Sequence, residues 1–454
     1  MRVKKAIAVT VAVSFAGLVA IALSGCEWFS FNRNKTTASD TLGYEKDTAA
    51  WLTSNMDSNR YDAYQSYQSA KAAGEIGADV TFLDYLKATG DSSAALTAGL
   101  RSSVAIAVAY NSAGASLGSG VIYSLEGNAD GGATAYVITN YHVVYNNKES
   151  GSDKFGKQYY TYLYGDKYDT DNLASDGALT ATYVGGAMQE DIAVLSVEIP
   201  RERVNYVQSI SGDVGNRDSD RVNVGERVYA VGNLLGGGIS VVSGVVSVEA
   251  EYNQFAKLDS PSQSVDMLTM RIDAPVNHGN SGGGLFDANG SFLGIVNGGR
   301  ELSVKTDDGD ETIAIDGYGF AIPANRAISV AQNIIDNAEK NERAAYYGIL
   351  GTLVTESSVG VFNSNTQSID IIEKVVIANV RAGSPFGQDV VGKAITAAKV
   401  TNASGKETVN QAILRRHQIE TVLFNLRAGD TLTLTFEDDS TAEGTFNTNF
   451  SKAD

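Results

Sequence analysis

Four glycines within six positions, Gly279-Asn280-Ser281-Gly282-Gly283-Gly284, constrain this chain more than any other stretch. Neither helix nor strand readily accepts so much backbone freedom, so the segment reads as a turn, and the residue it displays is a serine. Glycines around a serine let backbone N–H groups face whatever the hydroxyl attacks, although a plain flexible turn can have the same composition. Two upstream segments add weight to the chemical reading. Thr139-Asn140-Tyr141-His142-Val143-Val144 offers a base, and Glu190-Asp191-Ile192-Ala193-Val194-Leu195 offers a carboxylate.

The order His142, Asp191, Ser281 is that of the chymotrypsin-type triad, not of the subtilisin or α/β-hydrolase types. Ala135 to Thr139 is a short apolar, β-branched run that predicts a strand, so His142 would leave its end on rigid backbone. The apolar run Ile192 to Val194 predicts a buried strand, which leaves Asp191 poorly solvated at the mouth of a core and in need of a partner. In this arrangement His142 takes the serine proton and returns it to a leaving amine, while Asp191 fixes the imidazole tautomer. An oxyanion hole is expected from Gly279, Asn280 and Ser281, with the N–H groups of Gly279 and Ser281 aimed at the developing charge.

Other motifs carry a family resemblance. Ser116-Leu117-Gly118-Ser119-Gly120-Val121-Ile122, Val231-Gly232-Asn233, Val242 to Ser247, Asp273-Ala274-Pro275-Val276-Asn277 and Gly317-Tyr318-Gly319-Phe320-Ala321-Ile322-Pro323 together resemble the HtrA (Deg) family of trypsin-like serine proteases with a C-terminal PDZ domain. The likeness spans about residues 100 to 450. It implies a mainly β fold: two six-stranded chymotrypsin-like barrels, a C-terminal PDZ domain and a small helical N-terminal segment. It also implies a substrate site formed by Pro275, Val276, His278, Tyr318, Gly319 and Phe320, and a homotrimer. His278 and Gly284 stand where the family usually has proline. His278 would sit at the rim of the specificity pocket or simply in a solvated loop, and Gly284 would loosen the serine turn. With no acidic residue in Ala274 to Val276, cleavage is expected after small or medium aliphatic residues. Asp273 resembles a structural aspartate of the family.

A length of 454 residues exceeds one hydrophobic core, and 47 Gly against 5 Pro among Val, Thr and Tyr clusters favours strands. The expected layout is a signal segment over 1–26, a flexible tether over 27–50, a helical segment over 51–100, the protease domain over 101–335 and a PDZ-like domain over 346–450. At the N-terminus, Arg2, Lys4 and Lys5 precede the apolar stretch Ala6 to Leu23 and then Leu23-Ser24-Gly25-Cys26. A plain signal peptide or an uncleaved anchor is one reading. The other, favoured because Cys26 is the only cysteine and its setting resembles a bacterial lipobox, is lipidation at Cys26 and tethering to the extracytoplasmic face of a membrane. No internal disulfide can then form. The net charge of −18 argues against binding nucleic acid or anionic lipid through charge.

Tyr61, Tyr64, Tyr67, Phe82, Tyr85 and Leu86 recur at helical spacing and predict two short helices flanking Gly74 to Gly77. Asp166, Asp169 and Asp171 lack the glycine and glutamate of a calcium loop, so the insertion from Glu149 to Asp176 reads as a solvated loop; no metal or cofactor is expected. Asp307 to Glu311 reads as a hairpin tip. A hinge is expected after Pro323, with a helix over 325–339. By the resemblance, Tyr346-Tyr347-Gly348-Ile349 forms a carboxylate-binding loop, Val409 to Arg416 a helix, and His417 an exposed helix position. The function that follows is a membrane-tethered endopeptidase for unfolded or damaged exported proteins, whose PDZ domain takes hydrophobic C-termini. The rival is a catalytically silent scaffold or chaperone-like peptide binder that keeps the protease fold.

Overall fold

The computed structural model describes residues 58–88, 92–338 and 350–446, apart from 112–113, 170–171, 213 and 307–308. The signal segment, Cys26, the tether and Tyr346 to Ile349 lie outside the described residues. Among the described residues, no helix is long and apolar enough to cross a membrane.

The chain divides into two compact units, residues 1–86 and 87–454. In the first, helices α1 (Ser58–Ala72) and α2 (Phe82–Ala88) meet through the aromatic stripe. Tyr67 lies 5.4 Å from Phe82 and 5.6 Å from Tyr85 between ring centroids, and its hydroxyl donates to the Val80 carbonyl at 2.9 Å. The stripe therefore forms the contact between these helices.

The second unit starts with α3 (Ser92–Ser102) and continues into two closed antiparallel barrels. The first contains β1 (Ser103–Ala109), β2 (Ala115–Gly127), β3 (Ala133–Thr139), β4 (Gln158–Leu163), β5 (Leu179–Ala187) and β6 (Ile192–Ile199), in the order β1-β2-β3-β6-β5-β4. The second contains β7 (Arg227–Gly232), β8 (Ser240–Ala256), β9 (Ser264–Ile272), β10 (Gly284–Asp287), β11 (Phe292–Thr306) and β12 (Gly309–Pro323), in the order β10-β11-β12-β9-β8-β7. Strand β6 shows why its sequence reads as an unbroken apolar run. Ala193, Leu195, Val197 and Ile199 fill the first barrel, whereas Ile192 and Val194 face a separate core shared with Phe286, Phe292, Ile295 and Ile322 of the second. Both faces are buried, so the usual polar alternation disappears.

Helix α5 (Ala324–Asn337) follows β12. Its Ala327, Val330, Ala331 and Ile334 join the shared core, and its polar side packs on the C-terminal domain. Asn333 donates to the Phe424 carbonyl at 2.8 Å, and Asn425 donates to Ser329 at 3.1 Å. The helix is thus clamped on both sides where the sequence suggested a hinge after Pro323.

The C-terminal domain is a sheet of β13 (Thr352–Asn363), β14 (Ser368–Asn379), β15 (Ala394–Thr401), β16 (Glu407–Ala412), β17 (Thr431–Phe436) and β18 (Thr441–Thr445), covered by α6 (Arg416–Phe424). Two expectations need correction. Val409 lies in β16, opposite Val400, and the helix begins only at Arg416. His417 is buried, at 6% exposure, with its Nε2 3.1 Å from Asp220, because α6 is enclosed between its own sheet and α5.

Candidate active site

The short helix α4 (Tyr141–Val144) turns the chain out of β3 and carries His142. A 3₁₀ turn, Met188–Glu190, ends in Asp191, whose φ of 50° and ψ of 41° put it in the left-handed region that non-glycine residues seldom adopt. The two turns are stitched together: the Asp191 carbonyl accepts from Tyr141 N–H at 3.1 Å and from Asn140 Nδ2 at 2.9 Å. This presents the Asp191 carboxylate to His142. His142 Nδ1 stands 2.6 Å from Asp191 Oδ2, and the His142 backbone N–H donates to Oδ1 at 2.9 Å. Burial pulls the imidazole pKa down, but the charge and hydrogen bond of Asp191 outweigh it and hold the pKa above the ordinary value of 6.5. The ring keeps 33% of its side chain exposed, enough for a substrate to reach.

Ser281 occupies the predicted turn, which is fixed from both barrels. Ser119 of β2 receives the Asn233 N–H at 2.7 Å on its hydroxyl, donates that hydroxyl to the Gly279 carbonyl at 2.6 Å, and donates its N–H to the Ser281 carbonyl at 2.8 Å. Gly279, at φ +94°, leaves no room for a side chain: a Cβ there would stand 2.1 Å from the Asn233 carbonyl oxygen. The N–H groups of Gly279 and Ser281 make no hydrogen bond among the described residues. That of Asn280 donates to the Asn277 carbonyl at 3.1 Å, which removes it from the expected oxyanion set. Gly284 belongs to β10, paired with Val231 and Ile295, so the sheet supplies the stiffness that proline would have given.

The serine hydroxyl donates to the Asn297 carbonyl at 2.9 Å and not to His142. Asn297, which sequence reasoning missed, also donates its side-chain Nδ2 to Asp191 Oδ2 at 2.6 Å. One residue therefore spans the carboxylate and the serine, a role with no local signal in the run Gly294-Ile295-Val296.

Near the expected pocket, Pro275 and His278 are exposed and Val276 is half-buried. Gly319 packs on Val276 so closely that a Cβ would stand 2.8 Å from Val276 Cγ2. Tyr318 accepts from Arg271 at 2.5 Å, with the guanidinium 4.7 Å from its ring centroid. Phe320 is buried against Phe255, which makes it a support for the pocket wall and not a contact surface. Asp273 Oδ1 accepts from Val245 N–H at 2.5 Å, tying β9 to β8. In the insertion, Asp166 pairs with Arg203 at 2.6 Å and accepts from Leu163 N–H at 2.7 Å, so it clamps the loop where a purely solvated residue was expected.

Comparisons with known proteins find sequence similarity to serine proteases. Residues 118–295 match a family model described as a trypsin-like peptidase domain. The chain is 27% identical over 339 residues to Serine protease Do-like HtrA of Lactococcus lactis subsp. cremoris (strain MG1363), covering 74% of this chain and 71% of that protein. It is 30% identical over 262 residues to the periplasmic pH-dependent serine endoprotease DegQ of Escherichia coli (strain K12), covering 57% and 46% respectively. A solved structure of the HtrA-type protease AlgW with tripeptide aligns at 21% identity and a TM-score of 0.42, over 78% of this chain and 96% of that one.

Proposed function

We propose that this chain is an HtrA-type serine endopeptidase whose catalytic triad is His142, Asp191 and Ser281. The observation that carries this reading is the 2.6 Å contact of His142 Nδ1 with Asp191 Oδ2, beside a serine on a rigid glycine turn. With Nδ1–H committed to Asp191, the lone pair of Nε2 is free to act as base. For catalysis the Ser281 hydroxyl must leave the Asn297 carbonyl and reach that nitrogen. Its oxygen then attacks the amide carbon as the proton passes to Nε2. Asp191 holds the imidazolium, and the N–H groups of Gly279 and Ser281 receive the oxyanion. The imidazolium protonates the leaving amine, and water hydrolyses the ester by the reverse proton path.

The parked serine is the one feature that favours the silent scaffold. Labelling with a fluorophosphonate separates the two readings: wild type should be labelled and digest casein, and Ser281→Ala should do neither. A wild type inert to both, even with hydrophobic peptides added, would favour the scaffold.

The substrates we infer are unfolded or damaged exported polypeptides, cut after small or medium aliphatic residues, since Ala274 to Val276 bring no carboxylate to the pocket. The C-terminal domain is read as PDZ-like and as a receptor for hydrophobic C-termini. Cys26 is read as a lipidation site that holds the enzyme on the extracytoplasmic face of a membrane, and the assembly as a homotrimer. Incorporation of labelled fatty acid that disappears in Cys26→Ala tests the anchor.

A further inference from the structure

Arg326, in the first turn of α5, is 2% exposed, and each of its three side-chain nitrogens donates a hydrogen bond. Nη1 donates to Glu190 at 2.9 Å, Nη2 to Glu420 at 3.1 Å and to the His417 carbonyl at 3.4 Å, and Nε to Thr421 at 3.1 Å. Glu190 is the residue immediately before Asp191; the other three partners all lie on α6 of the C-terminal domain. Glu420 is held further by Arg416 at 3.0 Å and by the Tyr252 hydroxyl. Two buried carboxylates thus meet two guanidinium groups at the joint between barrels and C-terminal sheet.

A buried ion network is a poor source of stability compared with a well-packed apolar core, so its use here points to geometry. The geometry in question is the left-handed backbone of Asp191, which persists only if its surroundings over-determine it. On one side it is held by Tyr141 N–H and Asn140 Nδ2; on the other, by the salt bridge between Glu190 and Arg326.

We propose that Arg326 is a positioning residue for peptide hydrolysis: through Glu190 it fixes the turn that presents Asp191, and it does so while α6 of the C-terminal domain is seated on it. This deepens, and rests on, the assignment of Asp191 as the acid of the triad. A polar cavity of about 290 Å³, lined by Gln189, Glu190, Tyr252, Arg326, Arg416 and Glu420, opens beside the network.

The test uses the full chain and a fluorogenic peptide with an aliphatic residue before the scissile bond. Arg326→Met should lower kcat by about tenfold or more while KM stays within about twofold. The acid limb of its pH–rate profile should move down, because a misplaced Asp191 stabilises the imidazolium less. Arg326→Lys should recover part of both. Because Arg326→Met strands two carboxylates and threatens folding, the combined variant Arg326→Met, Glu190→Leu, Glu420→Leu removes all three buried ions and leaves only Arg416, whose side chain is 28% exposed, without its carboxylate. It should fold and show the same loss. A folded combined variant with wild-type kcat and an unmoved acid limb overturns the proposal. Failure of the triad itself would look different, with Ser281→Ala still labelled or Asp191→Asn still fully active.

Discussion

Asn297 binds Asp191 at 2.6 Å through its carboxamide, and the backbone carbonyl of the same residue takes the hydroxyl of Ser281 at 2.9 Å. The serine rests on this bridge, so the proposed catalysis requires its hydroxyl to leave Asn297 for His142. Removing the side chain should disturb the acid and leave the backbone acceptor in place. Asn297→Ala is expected to slow fluorophosphonate labelling about tenfold, the scale of one charge-assisted hydrogen bond, and to cost about 1–3 kcal/mol of stability because the carboxamide is buried. Labelling at the wild-type rate would refute this role.

The pH dependence follows from His142. Its protonated form is favoured by Asp191 beyond what burial takes away, so the neutral base is lost on acidification at a pH above the ordinary 6.5. The kcat profile should therefore rise through a midpoint above that value. Asp191→Asn should lower that midpoint and cut kcat by roughly 10⁴, as the loss of the same interaction does in the reference triad.

Gly279→Ala should remove activity through backbone geometry alone. Its φ of +94° disfavours a side chain, and the new Cβ would press on the Asn233 oxygen at 2.1 Å. A destabilisation of about 1–3 kcal/mol, read from thermal or denaturant unfolding, and loss of labelling are expected together.

The pair of His417 and Asp220 joins the C-terminal domain to the segment before β7. Burial raises the Asp220 pKa, but hydrogen bonding and charge from His417 more than compensate, so it lies below the ordinary 3.8. A depressed carboxyl pKa gives stability that is present above the unfolded value and is lost as pH falls through the folded one. His417→Ala should cost about 1–3 kcal/mol at neutral pH, and the difference from wild type should shrink only below about pH 4. A difference that persists undiminished into stronger acid would exclude the pair as its source.

The site was legible where it is local. The proposed His142, Asp191 and Ser281 each follow a strand or turn whose composition announces itself, and the two barrels were expected from the family resemblance that the surrounding motifs carry. Residues whose work depends on distant neighbours were not. Nothing near Asn297 signals that it will meet both Asp191 and Ser281, and Arg326 reads as one more charge at a helix start. The misplaced helix has a similar cause. Val409 gains its strand state by facing Val400 across a hairpin, and α6 opens with Gln418 reaching back to the N–H groups of Leu414 and Arg415 at 2.7 and 3.0 Å, without the usual capping residue before it. His417 has a polar sequence neighbourhood, and only the docking of α6 on α5 buries it.

Ser119 belongs to one barrel, yet three of its hydrogen bonds end on the other, at Gly279, Ser281 and Asn233. Any slip between the two halves must first tear those bonds and so dismantle the loop that bears Ser281. Chemical competence and mechanical integrity are thereby tied to one residue. A copy of this enzyme that has begun to come apart disarms itself, instead of becoming an indiscriminate hazard to the proteins around it.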